Sequence, residues 1–450
     1  GYSQEMIVYH FARRDYARGN VVATALLHYE HGGLRGRYGS ARRWDPYVRR
    51  DFDEYLREAA AKGWQFVPEK PPRILFAVGG NVFRRARGFD RMLEHLLPKL
   101  DLLVTFDWRM SNTARYSDYV LPAAGYYEKD DIAWSSALAP FSHATLEAVP
   151  PVGDSKTDWE FHCLLLKKIQ ERAIERGVTT YTDRHGETRR LDRCYDEMTF
   201  EQRLTEKNPD EMLDELLAVS TNVGGIRWKE LSEKGFQRFS SVGNGVVHIG
   251  NASDIEPGET LVANSWYVQK KMPWPTLTRR MQFYIDHPFY EELGEVLPVH
   301  KDNPPIGGNH PLAMTSGHNR WSIHAAWRDH APLLRLQRGE PVIYISSADA
   351  RRRGISDGDL VRVYNDLGEC LVHAKVSGAV RPGQVIVYHA WEPYQFRSPR
   401  SIQALMPSPL NPVQLAGGYF HLQPMVMMQQ PGGNDRGTRV EIERVGKAAG

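Results

Sequence analysis

The residues best suited to binding a polar ligand lie between His310 and Asp329, in the stretch HPLAMTSGHNRWSIHAAWRD. It contains three histidines, two arginines and two tryptophans. A buried strand or helix would show an apolar period of two or 3.6 residues, and this stretch shows neither. Planar donors among small residues are typical of a loop that binds a polar or anionic ligand. The alternative is a surface loop anchored by a few buried aromatic side chains.

A second group of polar residues follows two predicted strands. The apolar runs 73–78 and 102–106 flank a helical pattern at 83–97, which predicts a β-α-β unit in a parallel sheet. Asn81 and Asp107 follow these strands, at the sheet edge where ligands bind. Arginines crowd the same edge, where they could hold a phosphate or form solvated surface: Arg84, Arg85, Arg87 and Arg109. The full G-x-G-x-x-G spacing is missing, so a nicotinamide-dinucleotide site is not predicted.

Composition excludes several classes of function. With 57 Lys and Arg against 55 Asp and Glu, the net charge of +2 gives no argument for nucleic-acid binding. No apolar run approaches the ~20 residues of a membrane-spanning helix, so direct membrane insertion is not expected. Cys163, Cys194 and Cys370 lie far apart, so neither a zinc site nor an iron–sulfur ligand set is predicted here. Because the first residues lack a Met and a signal-peptide pattern, we expect a fragment of a longer protein.

The last part of the sequence changes to short apolar runs separated by turns. This texture is typical of a small closed barrel. Its strands are predicted at 341–345, 360–364, 370–376 and 385–389, with one capped helix at 347–355. Elsewhere, an amphipathic helix is predicted at 158–175, and a strand-like run that closes on a turn is predicted at 281–288. The predicted fold class is therefore α/β plus β, with a parallel α/β domain followed by a β-barrel domain.

Five segments in this order resemble the C-terminal half of the catalytic subunit of the molybdopterin oxidoreductases of the dimethyl sulfoxide reductase family. They are GGNVFRRA (79–86), VTFDWRMSNTARYSDYVLPAA (104–124), SGHNRWSIHAAWRD (316–329), LRLQRGEPVIYISSADARRRGISDGDLVRVYNDLGE (334–369) and PGQVIVYHAWEPYQF (382–396). The histidine-rich pair of segments is most similar to the subgroup of ethylbenzene, steroid C25 and dimethyl sulfide dehydrogenases and of selenate, chlorate and nitrate reductases.

The resemblance implies an α/β molybdopterin-binding domain with helical insertions at 1–305 and a double-psi-like barrel domain at 306–450. Together they would close over a bis-molybdopterin guanine dinucleotide that carries molybdenum. Its pyrophosphates and guanine edges call for arginine, amide, carboxylate and backbone donors and acceptors. The residues implied to bind it are Gly80, Asn81, Phe83, Arg84, Asp107, Arg109, Thr113, Asp118, Ser316, Gly317, His318, Asn319, Arg320, Trp321, Ser322, His324, Trp327, Arg328, Trp391 and Glu392.

Four of these residues leave alternatives open. Glu392 could accept a pterin N–H or could form a local salt bridge. Trp321, Trp327 and Trp391 could pack around the flat rings, although burying a tryptophan requires no ligand. The family's molybdenum ligand and nearby iron–sulfur cluster belong to the N-terminal half, so catalytic residues stay unknown and no metal ligand is assigned.

The resemblance implies an enzyme. The first expectation is oxygen-independent hydroxylation of a hydrocarbon or sterol side chain with water, and the alternative is a nitrate, selenate or chlorate reductase or a dimethyl sulfide dehydrogenase. A non-catalytic molybdopterin-type scaffold is a further alternative. The implied partners are the N-terminal half of the same subunit, an iron–sulfur β subunit, a haem b γ subunit and a small-molecule substrate. The implied compartment is the periplasm, with the cytoplasm as the alternative.

Overall fold

A computed structural model describes residues 24–40, 42, 47–134, 141–220, 223–238, 260, 265–274, 276, 278–302, 306–320, 322–336, 339–407, 409–418 and 437–446. The chain separates into two compact units, and one of them comprises Val22–Val120 and Gln282–Gly450. This unit contains both the strand-end residues and the donor-rich stretch. The other unit includes Leu121–Met281. The domain boundary expected after residue 305 stays a prediction.

The helices and strands are numbered in chain order. The helices are α1 (Thr24–His31), α2 (Leu34–Tyr38), α3 (Phe52–Ala61), α4 (Val82–Arg85), α5 (Phe89–His95), α6 (Asp158–Glu175), α7 (Cys194–Met198), α8 (Pro209–Ala218), α9 (Trp228–Lys234), α10 (Ser265–Val268), α11 (Pro288–Glu292), α12 (Ala331–Leu336) and α13 (Ser347–Arg352). The strands are β1 (Ile74–Val78), β2 (Leu102–Asp107), β3 (Tyr119–Pro122), β4 (Asp131–Trp134), β5 (Phe141–Thr145), β6 (Thr180–Thr182), β7 (Thr188–Arg190), β8 (Phe236–Arg238), β9 (Leu312–Gly317), β10 (Val342–Ser346), β11 (Leu360–Asn365), β12 (Gly368–Ser377), β13 (Gln384–Tyr388) and β14 (Arg439–Gly446).

The predicted β-α-β unit is present. Strands β1 and β2 pair in parallel, with Ile74 opposite Leu102, in a sheet of order β1-β2-β3. The single helix expected between the strands is instead two short helices, α4 and α5. Gly88, with a φ of +64°, lies directly before α5 and interrupts the helical path. Phe83, Phe89 and Leu103 form the buried core between these helices and the sheet.

The predicted barrel is also present, closed by six strands in the order β10-β12-β11-β14-β9-β13. Its strands alternate between buried and more accessible residues, because successive side chains of a strand point to opposite faces. The inward residues are almost all aliphatic: Leu312, Met314, Ile343, Ile345, Val361, Val363, Val372, Val385, Val387, Val440 and Ile442. The mixed α/β and barrel architecture is therefore confirmed, while the double-psi connectivity stays a prediction.

Two local predictions were wrong. The donor-rich stretch was expected to be irregular throughout, but Leu312–Gly317 is strand β9, which pairs with β13 in parallel and with β14 antiparallel. The loop therefore begins at His318. The run 281–288 was expected to be strand-like, but residues 281–287 have no regular structure, and Ile285 N donates to Val296 O, which lies beyond α11. In the described part of the chain no strand pairs with this run, so its short apolar pattern does not form a strand.

The unit that includes Leu121–Met281 confirms the amphipathic helix expected at 158–175. Thr157 caps α6, since its side chain accepts from Glu160 N while Glu160 accepts from Thr157 N. A separate apolar cluster in this unit joins α8 and α9 around Leu213, Leu217 and Leu231. Within the described ranges, no helix combines the length and apolar character that crossing a membrane requires.

Candidate functional site

The two strand ends meet through a hydrogen-bonded pair, Asn81 and Thr113. Asn81 follows β1, and its Oδ1 accepts from Thr113 N at 3.2 Å and from Thr113 Oγ1 at 2.9 Å. Thr113 Oγ1 in turn accepts from Phe83 N at 3.0 Å. Both polar side chains are buried. These bonds fix the loop after β2 against the first turn of α4, as expected for neighbouring parallel strands.

Glu392, in the segment after β13, joins the barrel to this sheet edge. It is fully buried, and its carboxylate oxygens accept from Asn81 Nδ2 at 2.8 and 3.0 Å and from Asn112 N at 3.0 Å. Arg109 Nη2 donates to the same carboxylate at 2.6 Å. The Glu392 carboxylate is thus held by protein donors, as in the local salt-bridge alternative, and its contact with a pterin stays a prediction.

Two arginines and a second carboxylate lie around Glu392. Arg84 Nε lies 3.9 Å from its carboxylate, and Arg109 Nη1 lies 3.7 Å from Asp329, the last residue of the donor-rich stretch. Burial lowers the pKa of Arg84. Burial also opposes the charge of Arg109, but Glu392 and Asp329 outweigh it and raise the pKa of that guanidinium. Because arginine is in general not deprotonated in proteins, two guanidiniums at this edge suit a site for an anion.

Arg328 anchors the donor-rich loop from inside the protein. Its side chain is fully buried, and it donates through Nη2 to His389 O at 2.8 Å and through Nε to His324 O at 3.3 Å. The guanidinium also stacks 4.3 Å from the centre of the Trp391 ring. Burial and the neighbouring Arg84 lower the pKa of Arg328 to about 10, so it is charged at neutral pH.

Three imidazoles lie together at the ends of β9 and β13. The ring centres of His318, His324 and His389 are 4.5 to 5.1 Å apart, and one ligand atom from each lies within 4.8 Å of the others. His324 Nδ1 lies 2.8 Å from His389 Nε2, and His389 Nδ1 lies 2.8 Å from Gly317 O. His324 and Trp327 adopt positive φ values of 47° and 63°, which non-glycine residues adopt at functional or strained positions.

Comparison with known proteins identifies the family. Residues 34–168 match the family described as molybdopterin oxidoreductase, and residues 312–421 match the molydopterin dinucleotide binding domain. The chain is 37% identical to the respiratory nitrate reductase subunit alpha of Haloferax mediterranei, over 94% of this chain and 44% of that protein. The chain belongs to the molybdopterin oxidoreductase family. The resemblance noted in the sequence is thereby confirmed.

Further relatives agree with this assignment. The chain is 33% identical to the dimethylsulfide dehydrogenase subunit alpha of Rhodovulum sulfidophilum, over 91% of this chain and 43% of that protein. It is 34% identical to the perchlorate reductase subunit alpha of Dechloromonas aromatica, over 88% and 42%. The chain therefore spans less than half the length of these relatives.

A solved structure supports the fold. Acetylene hydratase from Pelobacter acetylenicus superimposes with a TM-score of 0.52 at 17% identity, covering 88% of this chain and 46% of that one. At this identity the likeness concerns the fold alone.

The dinucleotide-binding match confirms a molybdopterin dinucleotide as the predicted cofactor, and the residues present fit such a ligand. Among the residues predicted to bind the cofactor, Arg84 Nε, Arg109 Nη1 and Ser322 Oγ are buried donors without a hydrogen-bond partner in the described part of the chain. Buried donors are normally satisfied, so these atoms are suited to the oxygens of a bound polar ligand. The two guanidiniums, which both lie beside Glu392, suit a pyrophosphate.

The other residues predicted to contact the cofactor lie in different environments. Phe83 is fully buried in the core of the β-α-β unit, facing away from the polar edge. Asp118 Oδ2 accepts from Leu103 N at 2.7 Å and thereby stabilises the sheet. Asp107 Oδ1 accepts from Trp108 N at 2.8 Å, and burial raises the pKa of the Asp107 carboxyl.

The residues of the donor-rich segment also differ in exposure. Trp391 is buried in the barrel core, whereas Trp327 is 61% exposed, so packing alone accounts only for Trp391. Four residues at or near the two strand ends are partly exposed: Gly80, Ser316, Gly317 and Asn319. His318 and Arg320 are exposed. Trp321 lies outside the described residues.

Sequence reasoning missed two members of the site. Asn112 donates from its backbone to Glu392 and from Nδ2 to Phe83 O at 2.9 Å. His389 contributes the third imidazole. Both lie inside segments that carried the family resemblance. His318 and His389 lie 71 positions apart, so the three histidines form no local sequence pattern. The available signal was that His389 lies at the end of a predicted strand.

Proposed function

We propose that this chain is the part of a molybdenum oxidoreductase's catalytic subunit that closes over a bis-molybdopterin guanine dinucleotide. The observation that carries the proposal is the direct joining of the barrel to the sheet edge through Glu392, Asn81 and Arg109. Arg84, Arg109 and Ser322 would hold the phosphates, and His318 and His324 would hold a pterin. A non-catalytic scaffold would gain nothing from buried donors without acceptors.

The reaction that we propose is reduction of an oxyanion such as nitrate. The cofactor would supply two-electron chemistry, and an oxyanion that takes up two electrons and two protons releases one oxygen atom as water. Support comes from the relatives named as nitrate and perchlorate reductases. Oxidation of dimethyl sulfide is the second candidate, since a dimethylsulfide dehydrogenase is also similar. Hydrocarbon hydroxylation, the first expectation from the sequence, has no such support among these relatives.

The proposal extends to partners and compartment. The relatives are named as alpha subunits, which supports assembly with other subunits. We propose an iron–sulfur β subunit and a haem b γ subunit as the electron path, with a further iron–sulfur cluster in the N-terminal half of the same subunit. The proposed compartment is the periplasm, and fractionating cells that express the full-length protein would test it.

A substrate comparison with the full-length complex tests the reaction. Reduced viologen should be oxidised rapidly by the enzyme when nitrate or chlorate is added. Dimethyl sulfide or ethylbenzene with an oxidised dye should give much slower turnover. Faster turnover of dimethyl sulfide would favour the second candidate, and faster turnover of ethylbenzene would restore the hydrocarbon reaction. A protein that contains molybdenum but turns over none of these substrates would contradict the proposed reaction.

A further inference from the structure

Strand β1 exposes apolar side chains on one face of its sheet. On the other face, Leu75 packs against the core cluster of α4 and α5. Because side chains alternate along a strand, Ile74 and Val78 share the opposite face with Val104 and Phe106 of the neighbouring strand β2. Val104 and Phe106 are buried there, whereas Ile74 is 54% and Val78 is 36% exposed. The exposed apolar area of this face therefore lies on β1.

The backbone of β1 presents a second edge. Gly79 N donates to Phe106 O, and Arg73 O accepts from β2, so the odd-numbered residues of β1 bond to β2. The N–H and C=O groups of Ile74 and Val78 therefore point away from β2. Among the described residues, β1 is the outer strand of its three-stranded sheet. The exposed face and the outer edge thus belong to the same strand.

This edge lacks the features that protect an outer strand. Outer strands of soluble proteins usually carry charges or prolines, or are covered by another segment. The sequence of β1 is ILFAV, which contains neither a charge nor a proline. Parallel strands are in general buried on both faces of their sheet. The composition of β1 is therefore that of an inner strand.

We infer that a further strand pairs in parallel with the outer edge of β1, and that its connecting segment covers Ile74 and Val78. The strand would come from the part of the same subunit that lies outside this chain. The matched regions are 44% of the nitrate reductase subunit alpha and 43% of the dimethylsulfide dehydrogenase subunit alpha, so more than half of each relative lies outside them. The inference rests on the proposed function, which makes this chain part of a longer catalytic subunit.

Sheet topology favours the same subunit over a second copy or another subunit. Parallel strands are joined by crossover connections of a dozen or more residues, usually a helix, within one polypeptide. Such a helix would cover the face that β1 exposes. The pairing would also steady the proposed site, because β1 leads to Asn81, whose Nδ2 donates to Glu392.

Thiol labelling of the full-length subunit tests whether β1 is covered. Ile74→Cys is compared with Val178→Cys, since these two positions are 54% and 55% exposed. Peptide mass spectrometry measures maleimide labelling at each introduced thiol. Ile74→Cys should react at least about 10-fold more slowly, because a covered thiol reacts only through local opening. Equal rates in the folded, isolated subunit would overturn the inference.

Photo-crosslinking identifies the segment that covers β1. A benzophenone-bearing amino acid replaces Ile74 in the full-length subunit, and crosslinked peptides are mapped by mass spectrometry. We expect peptides from the same polypeptide that lie outside residues 1–450. A crosslink to another subunit, or one to a second copy that weakens on dilution, would overturn the inference.

Two further measurements separate this inference from the proposed function. Ile74→Glu should lower the unfolding temperature of the full-length subunit, whereas Val178→Glu should leave it nearly unchanged, because only the first glutamate would be buried. Equal shifts would contradict the pairing. Molybdenum and guanylate are measured in the same preparations. Fast labelling of Ile74→Cys in a subunit that contains both would overturn the inference alone, and protection in a subunit that contains neither would support the pairing while contradicting the proposed function.

Discussion

Asn81 Nδ2 donates to both carboxylate oxygens of Glu392, at 2.8 and 3.0 Å, across 311 residues of chain. The amide lies at the carboxyl end of a parallel strand, and the carboxylate follows a barrel strand. Because both groups are buried, neither can exchange this bond for water without opening the structure. The pair therefore holds the barrel against the edge of the sheet where the cofactor is proposed to bind.

Removing the Glu392 carboxylate should destabilise the protein strongly. In Glu392→Ala, the Arg109 guanidinium and the Asn81 amide lose their buried acceptor, which should cost about 3–5 kcal/mol. Urea unfolding followed by tryptophan fluorescence would measure this loss. Glu443→Ala is the control, because Glu443 pairs with Arg362 where both side chains are partly exposed, and about 1 kcal/mol or less is expected. Equal losses in both variants would contradict the buried arrangement.

Thr113→Val should have a smaller but distinct effect. The valine leaves Phe83 N without its acceptor and removes a donor to Asn81 Oδ1, while the volume hardly changes. Leaving buried polar groups unsatisfied should cost about 1–3 kcal/mol. Thermal unfolding of Thr113→Val beside Thr188→Val, an exposed strand position, would measure the difference. A loss no larger than that of the control would show that Thr113 does not tie the two loops together.

Stability should fall as the pH is lowered below 6.5, partly through His28. Burial, followed by the charge of Arg37, lowers the pKa of His28 from 6.5 to about 3. Between these values the unfolded chain binds a proton that folded His28 excludes, so acid favours unfolding by up to about 1.4 kcal/mol per pH unit. His28→Leu should flatten the dependence of the unfolding free energy between pH 7 and 5. The exposed control His185→Gln should leave it steep, and a slope unchanged by His28→Leu would refute this account.

Cofactor retention should depend on the exposed donors of the donor-rich loop, which begins at His318. His318→Ala and Arg320→Ala should each lower molybdenum per full-length subunit, because each removes a donor proposed to contact the pterin or its phosphates. Arg352→Ala should not, since this exposed guanidinium pairs with Asp349 at the end of a barrel helix. Metal analysis of the three purified variants would decide. Equal molybdenum contents would mean that the loop is only structural.

The sequence predicted the elements better than their contacts. The barrel was predictable because residues such as Val361 and Val363 alternate with accessible ones over several strands. Strand β9 was missed because its inward residues, Leu312 and Met314, are few and are followed by a polar run. Gly88 was the local signal that would have divided the predicted helix into two.

Individual contacts of the site were less predictable, because they join distant parts of the chain. Phe83 lies between Asn81 and Arg84 in the sequence, yet the first turn of α4 places it in the core. Glu392 was correctly singled out, but its partners lie about 300 residues earlier and leave no local pattern. The third imidazole, His389, was missed for the same reason. The resemblance of the five segments to the family located the region of the site. The contacts of each side chain became visible only in the folded structure.

The most direct test measures molybdenum and guanylate in the full-length subunit, purified from cells that load another molybdenum enzyme successfully. If the barrel and the sheet edge close over a bis-molybdopterin guanine dinucleotide, the wild type should contain molybdenum with both guanylates, and Arg84→Ala combined with Arg109→Ala should lose both together. A wild-type subunit that is folded but free of molybdenum and guanylate would contradict the account.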